Sequence, residues 1–307
     1  FRTALTREEF LDTVRRCGMA VVGQSGALCP ADKKMYALRD VTATVDCIPL
    51  IASSIMSKKL AGGSRAIVLD VKCGRGAFMR DLERARELAQ AMVAIGRGAG
   101  RETVAVISDM NQPLGNAIGN ALEVEEAVST LAGRGPRRLT ELCLVLGGEM
   151  VALAKAAPDP AAGRAMVAEA LFSGRGLAQF ERWITAQGGD PAVAHESGLL
   201  PQAPVKQSVR SERTGYVVAV DAEGLGLAAM ELGAGRRRKE DVIDLSVGLE
   251  LRVELGSQVE VGEELAVIHA ASAAACEGAA AAVKGAILLG EVPPEAPPLV
   301  YEVIRTA

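Results

Sequence analysis

Two kinds of apolar patterning divide the chain. Up to about residue 200, short apolar runs alternate with longer segments whose apolar residues recur at helical spacing. Beyond residue 204 the runs are short, β-like and separated by glycines. At the start, Thr6-Arg7-Glu8-Glu9 reads as a capping box, with Phe10, Leu11 and Val14 on the buried stripe of a helix that stops near Gly18. Residues 19–24, MAVVGQ, predict a short strand, and a short helix is expected to carry Tyr36 to Arg39. Asp46 can cap the next helix, with Pro49 in its first turn, Ile51, Ile55 and Leu60 on its apolar side, and Gly62-Gly63 at its end.

The clearest alternation comes next. RAIVLDVK, residues 65–72, is the near-continuous apolar run of a strand covered on both faces. A glycine loop, CGRGAFM, leads into a helix over residues 81–96 with Ala85, Leu88, Met92 and Ile95 in phase. TVAVIS, residues 103–108, is a second buried strand, and residues 117–131 a second helix. Strand, helix, strand, helix at this spacing predicts an α/β fold with a mostly parallel sheet. Residues 139–188 read as helical with a break around Pro158 and Pro160, and a boundary falls at Pro201 and Pro204. GYVVAVD, LAAMELG, DLSVGLELRVELG, VEVGEELAVIHA and LVYEVI then read as β-like runs around one Ala-rich helix over residues 272–284. Residues 205–307 are therefore expected to form a separate α+β domain.

Composition narrows the function classes. With 307 residues, 49% of them hydrophobic, the chain can bury a sizeable core. A net charge of −4 argues against a general nucleic-acid binder, and Arg236-Arg237-Arg238, followed at once by acids, reads as a solvated turn. Six cysteines without a C-x-x-C pair and two distant histidines, His195 and His269, give no zinc or disulfide framework. Reduced thiols and a cytoplasmic location are the expectation. No apolar run is long enough to cross a membrane.

Three stretches carry candidate chemistry. Ser54 and Lys58 are four residues apart and share a helix face, as Ser53 and Ser57 do one position earlier. Spacing alone favours a solvated lysine compensating the helix dipole. If Arg39, on a different element, converged with them, two cations and a hydroxyl would match a planar ligand with carbonyl oxygens and an N–H. Gly74 and Gly76 sit just after a buried strand, where α/β sheets place ligands, but without a third glycine the pair reads as a tight turn. Glu123, Glu125 and Glu126 follow the polar loop SDMNQPLG and read as a solvated helix face. SQVEVGEELAVI has the rhythm of a lipoyl-type half-barrel, yet no modifiable lysine flanked by methionine accompanies it.

Taken together, YALRDVTATVDCIPLIASSIMSKK, the PADKK before it, LDVKCGRGAFM after it and SDMNQPLGNAIGNALEVEEA beyond resemble the thymidine and pyrimidine-nucleoside phosphorylase family. The first stretch is close to the family's signature, and the resemblance runs the length of the chain, including LGAGRRRKEDVIDLSVG. It implies a pentosyltransferase that splits pyrimidine (deoxy)nucleosides with phosphate as co-substrate and no organic cofactor, as a homodimer. Nucleic acid and membrane are not among the expected partners. By the same resemblance Arg39, Ser54 and Lys58 bind the pyrimidine ring, Arg39 and Lys58 at its carbonyl oxygens and Ser54 at its N3 edge. Tyr36 and Phe78 line the base pocket. Carbonyls of Leu114 and Ala117 with the Glu126 carboxylate hold a monovalent cation, potassium.

The implied division is 1–33 and 63–200 for the α/β domain, 34–62 for part of a helical base-binding domain, and 205–307 for the C-terminal domain. The family's phosphate-binding loop, with its catalytic histidine, is not matched by any stretch of the sequence, which starts at Phe1; neither His195 nor His269 corresponds to that histidine. In the glycine loop, Cys73 and Arg75 stand where the family usually has smaller or uncharged residues. The expectation is a fragment, inactive in phosphorolysis by itself. A strict thymidine phosphorylase, a phosphorylase of nucleoside monophosphates and a catalytically silent binding protein on the same scaffold stay open as alternatives.

Overall fold

The amino terminus folds as its capping box dictates. In a computed structural model that describes residues 1–23, 29–39, 44, 46–238 and 240–305, with the side chains of 36–39 outside the description, α1 spans Arg7–Cys17. Thr6 Oγ1 accepts from Glu9 N at 3.2 Å, and the Glu9 carboxylate accepts from Thr6 N at 2.8 Å. Gly18 closes the helix in the left-handed conformation. Thr13 is its buried residue, whereas Leu11, expected inside, is exposed.

Residues 19–23 form no strand. The side-chain amide of Gln187 takes the place of a neighbouring strand: its Oε1 accepts from Val21 N and its Nε2 donates to Val21 O, both at 2.8 Å. The expected strand does not form there, because a single side-chain amide satisfies the backbone of Val21. Gln24 lies outside the described residues.

Next come α2 (Pro30–Arg39) and α3 (Ile48–Ala61). Cys47, rather than Asp46, occupies the N-cap of α3 and makes no side-chain capping bond; Pro49 stands in the first turn as expected. Ile48, Ala52 and Met56, at i, i+4 and i+8, are the fully buried stripe of α3. Ile51, Ile55 and Leu60 pack beside them, half-buried.

The central sheet places β1 (Ala66–Cys73) parallel to β2 (Glu102–Asp109), with α4 (Leu82–Gly98) crossing between them from its Asp81 N-cap. Ile67, Leu69, Val71 and Cys73 of β1 bury one face against α3 and α4. After β2 a two-residue strand, β3 (Ala117–Ile118), precedes α5 (Asn120–Leu131), so the helix expected from residue 117 starts three residues later. Three helices follow, α6 (Arg137–Leu153), α7 (Pro160–Phe172) and α8 (Arg175–Ala186), broken where the prolines required.

Beyond residue 204 the elements are β4 (Val205–Arg210), β5 (Gly215–Val220), α9 (Ala222–Ala229), β6 (Gly248–Leu251), β7 (Gln258–Val259), β8 (Glu264–Ala270), α10 (Ala273–Gly285), β9 (Ile287–Gly290) and β10 (Val300–Arg305). LAAMELG, expected as a strand, is the end of α9 and a π-turn over Met230–Ala234, because Leu225, Ala228 and Ala229 present one apolar helical face to the core. Two small antiparallel sheets, β3-β6-β8-β4 and β7-β5-β9, enclose that core with α10.

Two connections tie this part to the first. β3 pairs with β6, and there Gly119 (φ 145°) and Gly248 (φ 155°) let two backbones meet; a Cβ on Gly119 would lie 2.6 Å from Val247 O. LVYEVI, grouped by sequence with residues 205–307, is β10, which pairs antiparallel with β2 and completes the first sheet. The central sheet is therefore mixed, and the chain's last strand belongs to it.

Candidate base-binding site

Lys58 sits in the last turn of α3, one turn beyond Ser54, and the two side chains meet as their spacing requires: Lys58 Nζ donates to Ser54 Oγ at 2.9 Å. The lysine is not a solvated helix end. Its side chain is 19% exposed, and its ammonium forms a second contact, 2.6 Å, to Oδ2 of Asp32, whose side chain is 14% exposed. Asp32 comes from the first turn of α2, so the contact joins two helices. Sequence reasoning quoted PADKK without giving Asp32 a role. The available signal was its place on the same helix as Arg39, seven residues or about two turns earlier.

Arg39 is the last residue of α2, and Tyr36 lies one turn before it; the side chains of both fall outside the described residues. Phe78 is on the loop after β1 and is 70% exposed, an uncommon setting for a phenylalanine without a partner surface. The turn that presents it is tight: Gly74 N donates to Met79 O at 2.9 Å and Gly76 N to Met110 O at 2.9 Å. Gly74 has φ 133°, and a Cβ there would lie 2.7 Å from Asn111 N, so glycine is required by both torsion and space. Arg75, exposed to solvent on this loop, donates its backbone N–H to Asn111 Oδ1 at 3.2 Å. Cys73, at the end of β1, is a buried thiol; burial first, then the charges of Asp81 and Asp109, pushes its pKa up, which keeps it protonated and unreactive.

Behind the loop lies a buried polar knot that no motif announced. Asp109, 0% exposed at the end of β2, accepts from Arg138 Nη2 of α6 at 2.9 Å, from Tyr301 Oη of β10 at 2.8 Å and from Asn111 Nδ2 at 2.6 Å. Burial, then the hydrogen bond to Asp109, raises the Tyr301 pKa, so the phenol stays neutral and donates. Arg138 and Tyr301 are 29 and 192 residues from Asp109 in sequence, which is why pattern reading missed the knot.

At the second predicted cluster the structure shows the Glu126 carboxylate facing backbone N–H groups of the loop before α5. Glu126 leaves the solvated face of α5: its Oε1 accepts from Asn116 N at 2.7 Å and Ala117 N at 3.0 Å, and its carboxylate packs against Gly115. Burial raises its pKa, against the lowering by those two N–H groups. Glu123 is also engaged, accepting from Gly119 N at 3.1 Å. A cavity of about 740 Å³ opens beside Glu126 between α5 and the C-terminal sheet, lined among others by Arg134, His195, Lys206, Glu250 and His269. His269 is buried on β8 with Nε2 3.7 Å from Glu250 Oε2, and burial pushes its pKa down. His195 meets Glu181 at 2.8 Å on the surface.

An α/β sheet with a polar Asp32–Lys58–Ser54 cluster on the helices before it and an α+β domain after it frames the site. Residues 1–177 match the glycosyl transferase family a/b domain, and residues 216–290 the pyrimidine nucleoside phosphorylase C-terminal domain. The chain belongs to the pyrimidine-nucleoside phosphorylase family. It is 51% identical over 304 residues to the pyrimidine-nucleoside phosphorylase of Geobacillus stearothermophilus, covering 99% of this chain and 70% of that protein. It is 55% identical over 270 residues to that of Bacillus subtilis and 54% over 269 residues to that of Staphylococcus aureus. Both alignments cover 88% of this chain, which spans 62% of each of these relatives.

Proposed function

We propose that the protein carrying this chain catalyses the reversible phosphorolysis of pyrimidine nucleosides, uridine and thymidine alike. A phosphate oxygen bonds to C1′ of the sugar as the C1′–N1 bond breaks; the electron pair leaves with the base, which takes up a proton, and (deoxy)ribose 1-phosphate is the other product. The observation that carries this reading is the Lys58 ammonium held between Ser54 Oγ and Asp32. An ammonium has three donors, and two are engaged. The third has no partner among the described residues and is assigned to a ring carbonyl oxygen, onto which the departing base spreads its negative charge. A cation fixed in advance stabilises that charge more than it stabilises the neutral substrate. Ser54 Oγ keeps a lone pair for the N3–H edge, and Arg39 is assigned to the other carbonyl contact. Tyr36 and the exposed Phe78 are assigned to the faces of the base. In this reading α2 and α3 belong to a helical base-binding unit that closes on the α/β domain. The phosphate is assigned to no residue of this chain.

The naming of the relatives favours a broad pyrimidine specificity over a strict thymidine enzyme. The test is kcat/KM for uridine and thymidine on the full-length protein. We expect the two to lie within about 100-fold, the discrimination that one methyl or hydroxyl ordinarily supplies. A protein that cleaves thymidine and leaves uridine untouched would contradict it. No base release from either nucleoside would instead support the silent binding protein.

Potassium at Leu114, Ala117 and Glu126 is part of the same proposal, and its role there is to neutralise a carboxylate that burial disfavours. Potassium chloride is expected to raise the melting temperature above that in lithium chloride at equal ionic strength. Glu126→Gln should remove that difference; a difference that persists in the variant would take the ion away from Glu126. The protein is further assigned as a cytoplasmic homodimer, and a monomer-mass species in sedimentation velocity would remove the dimer. The free cysteines, Cys17, Cys29, Cys47, Cys73, Cys143 and Cys276, are consistent with a reducing compartment.

A further inference from the structure

A lysine on a four-carbon stem is a mobile cation, and an ammonium useful in a transition state must be held still. Ser54 alone cannot do this, because one neutral hydroxyl leaves the Nζ free to swing about the Nζ–Oγ contact. Asp32 supplies the second fixed point, 2.6 Å from Nζ and itself largely withdrawn from water. With Ser54 Oγ and Asp32 Oδ2 both placed, the remaining N–H of Lys58 has one direction left.

The position of Asp32 adds a second consequence. Among the described side chains of α2, Ala31, Lys33, Lys34 and Met35 are exposed, and Asp32 is the one that turns inward. None of them joins the apolar core that holds α3 against α4 and β1. The described attachment of α2 to α3 is therefore polar and centred on the Asp32–Lys58 pair. The same helix ends at Arg39, so whatever seats Asp32 also sets where the second cationic residue begins.

We propose that Asp32 is a positioning residue for the base site, orienting the Lys58 ammonium and seating α2, with Arg39, against α3. This rests on the phosphorolysis reading above. It differs from an ordinary buried ion pair in what it predicts: most of the effect of Asp32 on turnover passes through Lys58, and it falls on the nucleoside rather than on phosphate.

The experiment is a double-mutant cycle in the full-length protein, with Asp32→Ala, Lys58→Ala and the double variant assayed for uridine phosphorolysis. Asp32→Ala is expected to lower kcat/KM for uridine by about tenfold or more, equal to ~1.4 kcal/mol. The KM for phosphate should be unchanged, and Asp32→Glu should recover part of the loss. In the Lys58→Ala background the same Asp32→Ala change should cost far less, since there is no ammonium left to orient. Asp32→Ala with wild-type kinetics, an equal loss in both backgrounds, or a matching rise in the KM for phosphate would each overturn the assignment. Calorimetric titration with uracil separates this from the parent reading. A wild type that binds uracil without turnover sinks phosphorolysis alone, with Asp32→Ala still expected to weaken uracil binding. A wild type that does neither overturns both.

Discussion

Lys58→Ala is expected to cut kcat/KM for uridine in the full-length protein by at least ~10-fold, about 1.4 kcal/mol of transition-state stabilisation. Two effects act in the same direction. The variant loses the donor assigned here to the base carbonyl, and it takes the ammonium away from the Asp32 carboxylate, which is 14% exposed. A carboxylate that has lost its ammonium, next to a base that is itself becoming negative, opposes the reaction, so the loss should exceed that of a neutral hydrogen bond. Because charge builds only as the glycosidic bond breaks, kcat should fall along with kcat/KM. An unchanged kcat/KM would remove Lys58 from the mechanism.

The largest effect on stability is expected at Asp109. Asp109→Ala removes the acceptor of Arg138, Tyr301 and Asn111 at one point, and it leaves a guanidinium whose side chain is 15% exposed without its ion-pair partner. Breaking a buried pair by deleting one member costs about 3–5 kcal/mol. That is a large share of the 5–15 kcal/mol that typically separates folded from unfolded protein. The knot joins β2, α6 and β10, so its loss should loosen the last strand from the central sheet as well. Tyr301→Phe, which removes one donor and keeps the ring, should cost only ~1 kcal/mol. Denaturant titrations of the full-length protein read both. An Asp109→Ala midpoint equal to that of the wild type would show that the knot contributes nothing net.

Where local rules act, the sequence could be read in advance. The capping box at Thr6, the Asp81-led helix of α4, the β1 and β2 runs and the proline breaks around α7 all appear where spacing puts them. The errors fall where a distant partner overrules local preference. Gln187 satisfies Val21 and removes the need for a strand, and the face formed by Leu225, Ala228 and Ala229 turns LAAMELG into helix. LVYEVI was read correctly as a strand and wrongly as a member of the second domain, because nothing within it says that its partner is β2, nearly 200 residues earlier.

At the site, the i, i+4 relation of Ser54 and Lys58 was legible, and their chemical meaning came only with the family's signature. Asp32 was in view and unassigned, since an acid becomes a partner only when the fold brings its helix across. Glu126 was read as part of a solvated face, and its burial follows from the loop that folds back over α5.

The central claim is that a base held by Ser54 and Lys58 leaves its sugar when phosphate attacks. The direct measurement is uracil release from uridine by the full-length protein, followed chromatographically with and without phosphate. Uracil should form only when phosphate is present, in amounts equal to the ribose 1-phosphate produced. Uracil released at the same rate without phosphate, or not released at all, would contradict the account.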